Sequence, residues 1–280
     1  MSIRHWRFEL SGQDGNPIRG DVRITSEPRP GAAIIICHGF KGFKDWGFFP
    51  YVSEQLAART GYPVVAFNFS GNGVGADLLN FTELDKFEAN TFSKELADLQ
   101  AVLNALSAGR LQGAGARRRF GLLGHSRGGV STIVTGAEDE RVGAVVTWNA
   151  VAYLDRWSDE KKAEWRRERR IEILNARTKQ MMPLGIGLLE DYEHNAERFH
   201  LEKAASRLQA PYLIVHGTAD ESVSVDDGHR LAAAAPEDRS RFALIEGGGH
   251  TFAAVHPFQG TTDHLTQVIQ LTADWFAEHL

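Results

Sequence analysis

Phe120-Gly121-Leu122-Leu123-Gly124-His125-Ser126-Arg127-Gly128-Gly129-Val130 is the stretch whose reading decides the fold. Its first four residues form a short apolar run, the pattern of a strand buried on both faces. Gly124 to Gly128 then spell G-x-S-x-G, and a helix is predicted from Val130 onward. Strand, sharp turn and helix are the context in which such a serine stands exposed at a strand end. The glycines have a steric purpose, because side chains at 124 and 128 would clash with neighbouring backbone. The helix that begins here aims its dipole and free N–H groups at negative charge developing beside the serine. The plainer alternative is a glycine-rich turn with a bystander serine. The rest of the chain decides between them.

The same apolar run recurs on both sides of this segment. Ala32–Cys37 and Val64–Phe67 precede it; Ala144–Thr147, Tyr212–Val215 and Phe242–Ile245 follow. Residues 1–24 alternate polar and apolar around a break at Gly12 to Gly15 and predict a β-hairpin. Phe92, Leu96, Leu99, Leu103 and Leu106 fall on one helical face that stops at Gly109. Further helices are predicted at about 49–60, 129–137, 226–235 and 262–279. Strands alternating with helices imply βαβ units, hence a mostly parallel sheet with helices on both faces. One segment breaks this rhythm. From Tyr153 to about Leu208, roughly fifty residues separate two strands where a single helix would do. It runs through a charged stretch with Trp157 and Trp165, then an apolar patch from Met181 to Leu189. An insertion of that size at a strand end is usually functional. The expected division is therefore a core of residues 1–152 and 209–280 with a helical cap at 153–208.

A serine hydroxyl is a poor nucleophile without a base. His250 follows the strand Phe242–Ile245 through Glu246-Gly247-Gly248-Gly249, and three glycines there suggest tight backbone approach at a crowded site. The acid that orients such a histidine should end the preceding strand. Tyr212-Leu213-Ile214-Val215-His216-Gly217-Thr218-Ala219-Asp220-Glu221 offers Asp220, preferred over Glu221; the competing role for Asp220 is a helix cap near Val225. Serine, acid and histidine thus come in the chain order Ser126, Asp220, His250, unlike either of the two older protease arrangements. An oxyanion needs two backbone N–H donors. Arg127, directly after the serine, supplies one. Phe40, in Cys37-His38-Gly39-Phe40-Lys41-Gly42 after the first buried strand, supplies the other.

Composition bounds these readings. The chain has 280 residues, 42% hydrophobic and 24% charged, near the globular norm. A net charge of −5 argues against a nucleic-acid partner. The lone Cys37 allows no internal disulfide, no leader-like apolar segment opens the chain, and no run approaches the ~18 apolar residues of a membrane span. A cytoplasmic protein with no membrane span is the expectation. No histidine, cysteine or carboxylate spacing suits a metal, and Gly71-Asn72-Gly73-Val74-Gly75-Ala76 fits a dinucleotide fingerprint only loosely, so no cofactor is expected.

Together, His38-Gly39-Phe40, Gly124-His125-Ser126-Arg127-Gly128-Gly129, His216-Gly217-x-x-Asp220 and Gly249-His250 resemble the α/β-hydrolase superfamily, over nearly the whole chain except the insertion. Within it, the short His-Gly-Phe loop, the Gly-His-Ser-x-Gly-Gly elbow and the cap position are similar to bacterial carboxylesterases that include feruloyl and cinnamoyl esterases. The resemblance implies an eight-stranded α/β-hydrolase fold and hydrolysis of a small-molecule carboxylic ester through an acyl-enzyme. Peptidase, thioesterase and acyltransferase activities share these motifs, and a non-catalytic binding protein could reuse the scaffold. Trp157, Trp165, Met181 and Met182 either line a substrate pocket or form cap core. A homodimer stays open.

Overall fold

The computed structural model describes residues 2–280. Eight strands form one sheet: β1 (Ile3–Ser11), β2 (Pro17–Thr25), β3 (Ala32–Cys37), β4 (Val64–Asn68), β5 (Arg119–His125), β6 (Val142–Trp148), β9 (Tyr212–Gly217) and β10 (Ser240–Ile245). Their spatial order is β1-β2-β4-β3-β5-β6-β9-β10. β1 and β2 form the expected hairpin, β2 runs antiparallel to β4, and every later pairing is parallel.

Five of the six apolar runs do what a strand covered on both faces must do; Phe242–Ile245 does not, because β10 is an edge strand and leaves Leu244 44% exposed. Ile34 and Ile36 enter one core with α1 (Phe49–Thr60) and α9 (Asp263–His279). Ile35 and Cys37 enter the other, with α3 (Phe92–Ser107), α4 (Gly128–Glu138) and α8 (Val225–Ala234). Period-two alternation sends neighbouring residues to opposite cores, so no position in the strand can be polar. Threonines cap α3 and α9: Thr91 accepts from the Lys94 amide and Thr262 from the Leu265 amide.

The insertion is helical at its ends and contains a hairpin in its middle. α5 (Asp159–Glu168) leads into β7 (Arg170–Asn175) and β8 (Gln180–Gly185), which pair antiparallel with Leu174 opposite Met181. α6 (Ile186–His194) and α7 (Leu201–Ser206) then return the chain to the sheet. Arg170-Ile171-Glu172-Ile173 does alternate, but it lies inside a run dominated by charge, which hides the strand signal. The short α2 (Leu84–Glu88) lies against this hairpin: a Cβ on Gly185 would meet the Glu88 carbonyl at 2.7 Å. Among the described residues no helix is long and apolar enough to cross a membrane.

Parallel pairing brings the carboxyl ends of β3, β5, β6, β9 and β10 to one edge. The loops after them carry Phe40, Ser126, Asn149, Asp220 and His250, the edge where open α/β sheets place ligands.

Candidate active site

Ser126 sits in the turn from β5 to α4 with φ at +56, a left-handed conformation that L side chains adopt only under constraint. The constraint is visible in its neighbours. A Cβ on Gly128 would lie 2.3 Å from the Cys37 carbonyl oxygen, and one on Gly124 2.6 Å from the Gly128 carbonyl oxygen. The Ser126 amide donates to the Trp148 carbonyl at 2.9 Å, tying the turn to the end of β6. From the other side, a Cβ on Gly39 would stand 2.9 Å from the Ser126 Cβ and 3.4 Å from its Oγ. The His38-Gly39-Phe40 loop therefore presses directly on the serine.

His38 explains how that loop is held. The Phe69 amide donates to its Nε2 at 3.3 Å, so Nδ1 carries the proton and donates to the Gly39 carbonyl at 2.9 Å. Burial pushes the ring down to about 4, so it stays a neutral fastener. Among the described residues, neither the Phe40 amide nor the Arg127 amide donates to a protein acceptor. Two free N–H groups beside a hydroxyl are what an oxyanion needs.

His250 follows β10, and its Nδ1 lies 2.7 Å from Asp220 Oδ2. Oδ1 of the same carboxylate accepts the amides of Ser222 at 2.8 Å and Val223 at 2.9 Å. Burial alone would raise this carboxyl; the bonds from His250 and the two amides outweigh it and hold Asp220 below the ordinary carboxylate range. An ionised Asp220 requires the proton on His250 Nδ1 and leaves Nε2 as a base. Glu221 is exposed. Ser224, not Asp220, caps α8, with its hydroxyl accepting the Asp226 amide. Ser126 and His250 line one cavity, and among the described residues no hydrogen bond joins them. Such contacts commonly close only around a substrate.

Two side chains that the sequence reading did not single out hold the histidine loop. His125 donates from Nε2 to the His250 carbonyl at 2.9 Å, and burial pushes its ring down to about 3. Asn149, fully buried just past β6, donates from Nδ2 to the carbonyls of His250 at 2.8 Å and Gly249 at 3.2 Å. Its Oδ1 accepts the Gly217 amide at 2.8 Å, so one side chain ties the His250 loop to the end of the strand that leads to Asp220. Asn149 has φ of +49, which asparagine tolerates better than most residues. An asparagine directly after a buried strand was the available signal.

Two cavities flank Ser126. One, of about 260 Å³, is bounded by Lys41, Trp46, Phe49, Asn175, Arg177 and His250. The other, of about 250 Å³, is bounded by Phe92, Arg127, Val151, Leu154, Trp157 and Leu184. Phe40 borders both, its ring stacked on Phe87 at 5.6 Å with the Arg127 guanidinium 4.1 Å from its centre. Arg127 also pairs with the buried Glu95 at 2.6 Å.

The four expected pocket residues divide. Trp157 borders the second cavity. Trp165 is fully buried in the insertion, its indole N–H donating to the Leu184 carbonyl at 3.0 Å, and Met182 is buried too. Met181 points outward, 47% exposed. Strand alternation in β8 sends adjacent methionines to opposite faces, and neither borders a cavity beside Ser126.

Known proteins bear on this arrangement at two levels. An esterase domain from Rhodothermus marinus superposes with a TM-score of 0.66 at 22% identity, covering 100% of this chain and 99% of that one. A ferulic-acid-bound esterase of Butyrivibrio proteoclasticus gives 0.68 at 19% identity, covering 99% and 96%. In sequence, 2,6-dihydropseudooxynicotine hydrolase of Paenarthrobacter nicotinovorans is 24% identical over 211 residues, 74% of this chain and 49% of that protein. The chain thus spans about half the length of that curated relative. The eight-stranded sheet with its elbow after β5 agrees with the sequence match to the alpha/beta hydrolase family over residues 34–263, and the chain belongs to that family.

Proposed function

We propose that this chain is a carboxylesterase acting through an acyl-enzyme on Ser126. His250 Nε2 takes the serine proton as Oγ attacks the carbonyl carbon. The carbonyl oxygen becomes an oxyanion held by the amides of Phe40 and Arg127. The C–O bond to the leaving alcohol then breaks; its oxygen keeps the electron pair and receives the proton from His250. Water, deprotonated by the same ring, releases the acid and restores Ser126. Asp220 keeps the imidazole in the tautomer that makes Nε2 basic.

The observation that carries this reading is the Asp220–His250 bond at 2.7 Å beside a left-handed Ser126 faced by two free amides. The second cavity suits an apolar or aromatic acyl group, in keeping with the ferulic acid bound by the Butyrivibrio relative. The insertion acts as a cap over this side, since Leu154, Trp157 and Leu184 come from it. The test is a panel of p-nitrophenyl and aryl esters of varied acyl chains, run with thioester and peptide controls. Ester turnover that depends on Ser126 and outpaces both controls supports the reading. Preference for the thioester or the peptide, or transfer to an added alcohol in place of hydrolysis, reassigns the activity. No turnover at all points to a binding protein.

A further inference from the structure

The two cavities beside Ser126 differ in which of them His250 reaches. His250 borders the Lys41–Arg177 cavity and not the one bounded by Phe92, Val151 and Leu184. If the esterase reading above holds, the proton on His250 must pass to the leaving oxygen, so the leaving group occupies the cavity that His250 borders. The acyl group takes the other.

The cavities also differ in charge. On the acyl side both cations are neutralised by buried carboxylates: Arg127 by Glu95, and Arg156 by Asp227, which also accepts the Ala152 amide. On the leaving-group side no aspartate or glutamate borders the cavity, while Lys41 and Arg177 both do. Among the described residues neither cation forms an ion pair. Lys41 donates only to the Leu174 carbonyl at 3.2 Å, with its ammonium 5.5 Å from the Phe40 ring centre. The Arg177 guanidinium lies 5.5 Å from the centre of Phe43 and 5.9 Å from that of Phe81, so the rings hold it in place without cancelling its charge. Burial, and then the charge of Arg177, hold the nearby His256 ring below its ordinary pKa. Two unpaired cations on a cavity wall, brought together from the loop after β3 and the β7–β8 turn, form a site for negative charge.

We propose that Lys41 and Arg177 make this chain selective for esters whose leaving group carries a carboxylate. The experiment compares 4-acetoxybenzoate with its methyl ester, which differ in leaving-group charge. A second pair, phenyl hydrogen succinate and phenyl methyl succinate, carries the same change on the acyl side. Each kcat/KM ratio is divided by the corresponding ratio for hydroxide hydrolysis in solution, which removes intrinsic reactivity. For the first pair the corrected ratio should favour the anion by roughly three- to tenfold, the scale of a partly desolvated ion pair. It should fall towards one in Arg177→Gln and Lys41→Gln, persist in Arg177→Lys, and shrink with added salt. The succinate pair should show no such preference. A corrected ratio near one, a ratio unmoved by both glutamine variants, or an equal preference in the succinate pair overturns this inference while leaving the esterase reading intact. Failure to hydrolyse any of the four esters overturns the esterase reading and this inference with it.

Discussion

Replacing Asn149 by alanine removes three hydrogen bonds at once, and the structure says what each is worth. The Gly217 amide, buried at the end of β9, loses its acceptor; an orphaned buried donor costs about 1–3 kcal/mol. The His250 carbonyl keeps the bond from His125, and the partly exposed Gly249 carbonyl can turn to water, so both add little. Alanine at a φ of +49 adds about 1 kcal/mol of backbone strain. The sum is about 2–4 kcal/mol, which for a chain of this size lowers Tm by roughly 5–15 °C. Activity should fall further than stability. Asn149 joins the loop bearing His250 to the strand that leads to Asp220, and a displacement of about 1 Å in such a pair can cost 10²-fold. At 20 °C, where the variant is still folded, kcat should fall about 10- to 100-fold with KM within about threefold. Circular dichroism melting and initial rates on one aryl ester measure both. A variant that melts as expected but keeps its kcat would make Asn149 purely structural. One that changes neither would refute the bonding scheme.

Gly39→Ala places a Cβ 2.9 Å from that of Ser126 and should push the Phe40 amide out of position, lowering kcat about 10²-fold or more; wild-type rates would remove Phe40 from the oxyanion site. Asp220→Asn should lose roughly 10⁴ in kcat, whereas the exposed Glu221→Gln should stay within about twofold, and the reverse ranking would transfer the acid's role. Acid should weaken the fold in a defined window. His38 and His125, held by burial to about 4 and about 3, stay neutral while the unfolded chain protonates both near ~6.5, so stability falls as pH drops below that. Asp98, raised by burial to about 6, binds its proton earlier folded than unfolded and offsets about one histidine between pH 6 and 4. Unfolding free energies of Asp98→Asn from urea melts should therefore fall more steeply across that window than wild type, by about 1.4 kcal/mol per pH unit; parallel curves would contradict the assignment.

The sheet was legible because each core strand is an uninterrupted apolar run, and Ala32–Cys37 feeding both cores shows why it had to be. The residues around Ser126 were legible because turns there demand particular residue types: glycine at 124, 128 and 39, where a Cβ meets backbone or the serine itself. Asn149 was not legible, because its importance lies in reaching backbone groups roughly 70 and 100 residues away, and no local pattern encodes that. Lys41 and Arg177 escaped notice for the same reason. In the insertion, composition gave the wrong emphasis. Met181 and Met182 read as one apolar patch, but a strand separates neighbours to opposite faces, and only Met182 is buried. Trp165 fills the core that the insertion shares with one face of the sheet, while Trp157, packed edge-on against it at 5.1 Å, reaches the cavity.

The central claim is that Ser126 is the nucleophile, and covalent labelling tests it most directly. The intact chain, treated with a fluorophosphonate probe and mapped by peptide mass spectrometry, should carry one stoichiometric adduct on Ser126, and ester hydrolysis should stop in proportion to labelling. Ser126→Ala should take no label and lose on the order of 10⁴-fold or more in rate while melting within a few degrees of the parent. An adduct on a different residue, or undiminished ester turnover in Ser126→Ala, would contradict the account.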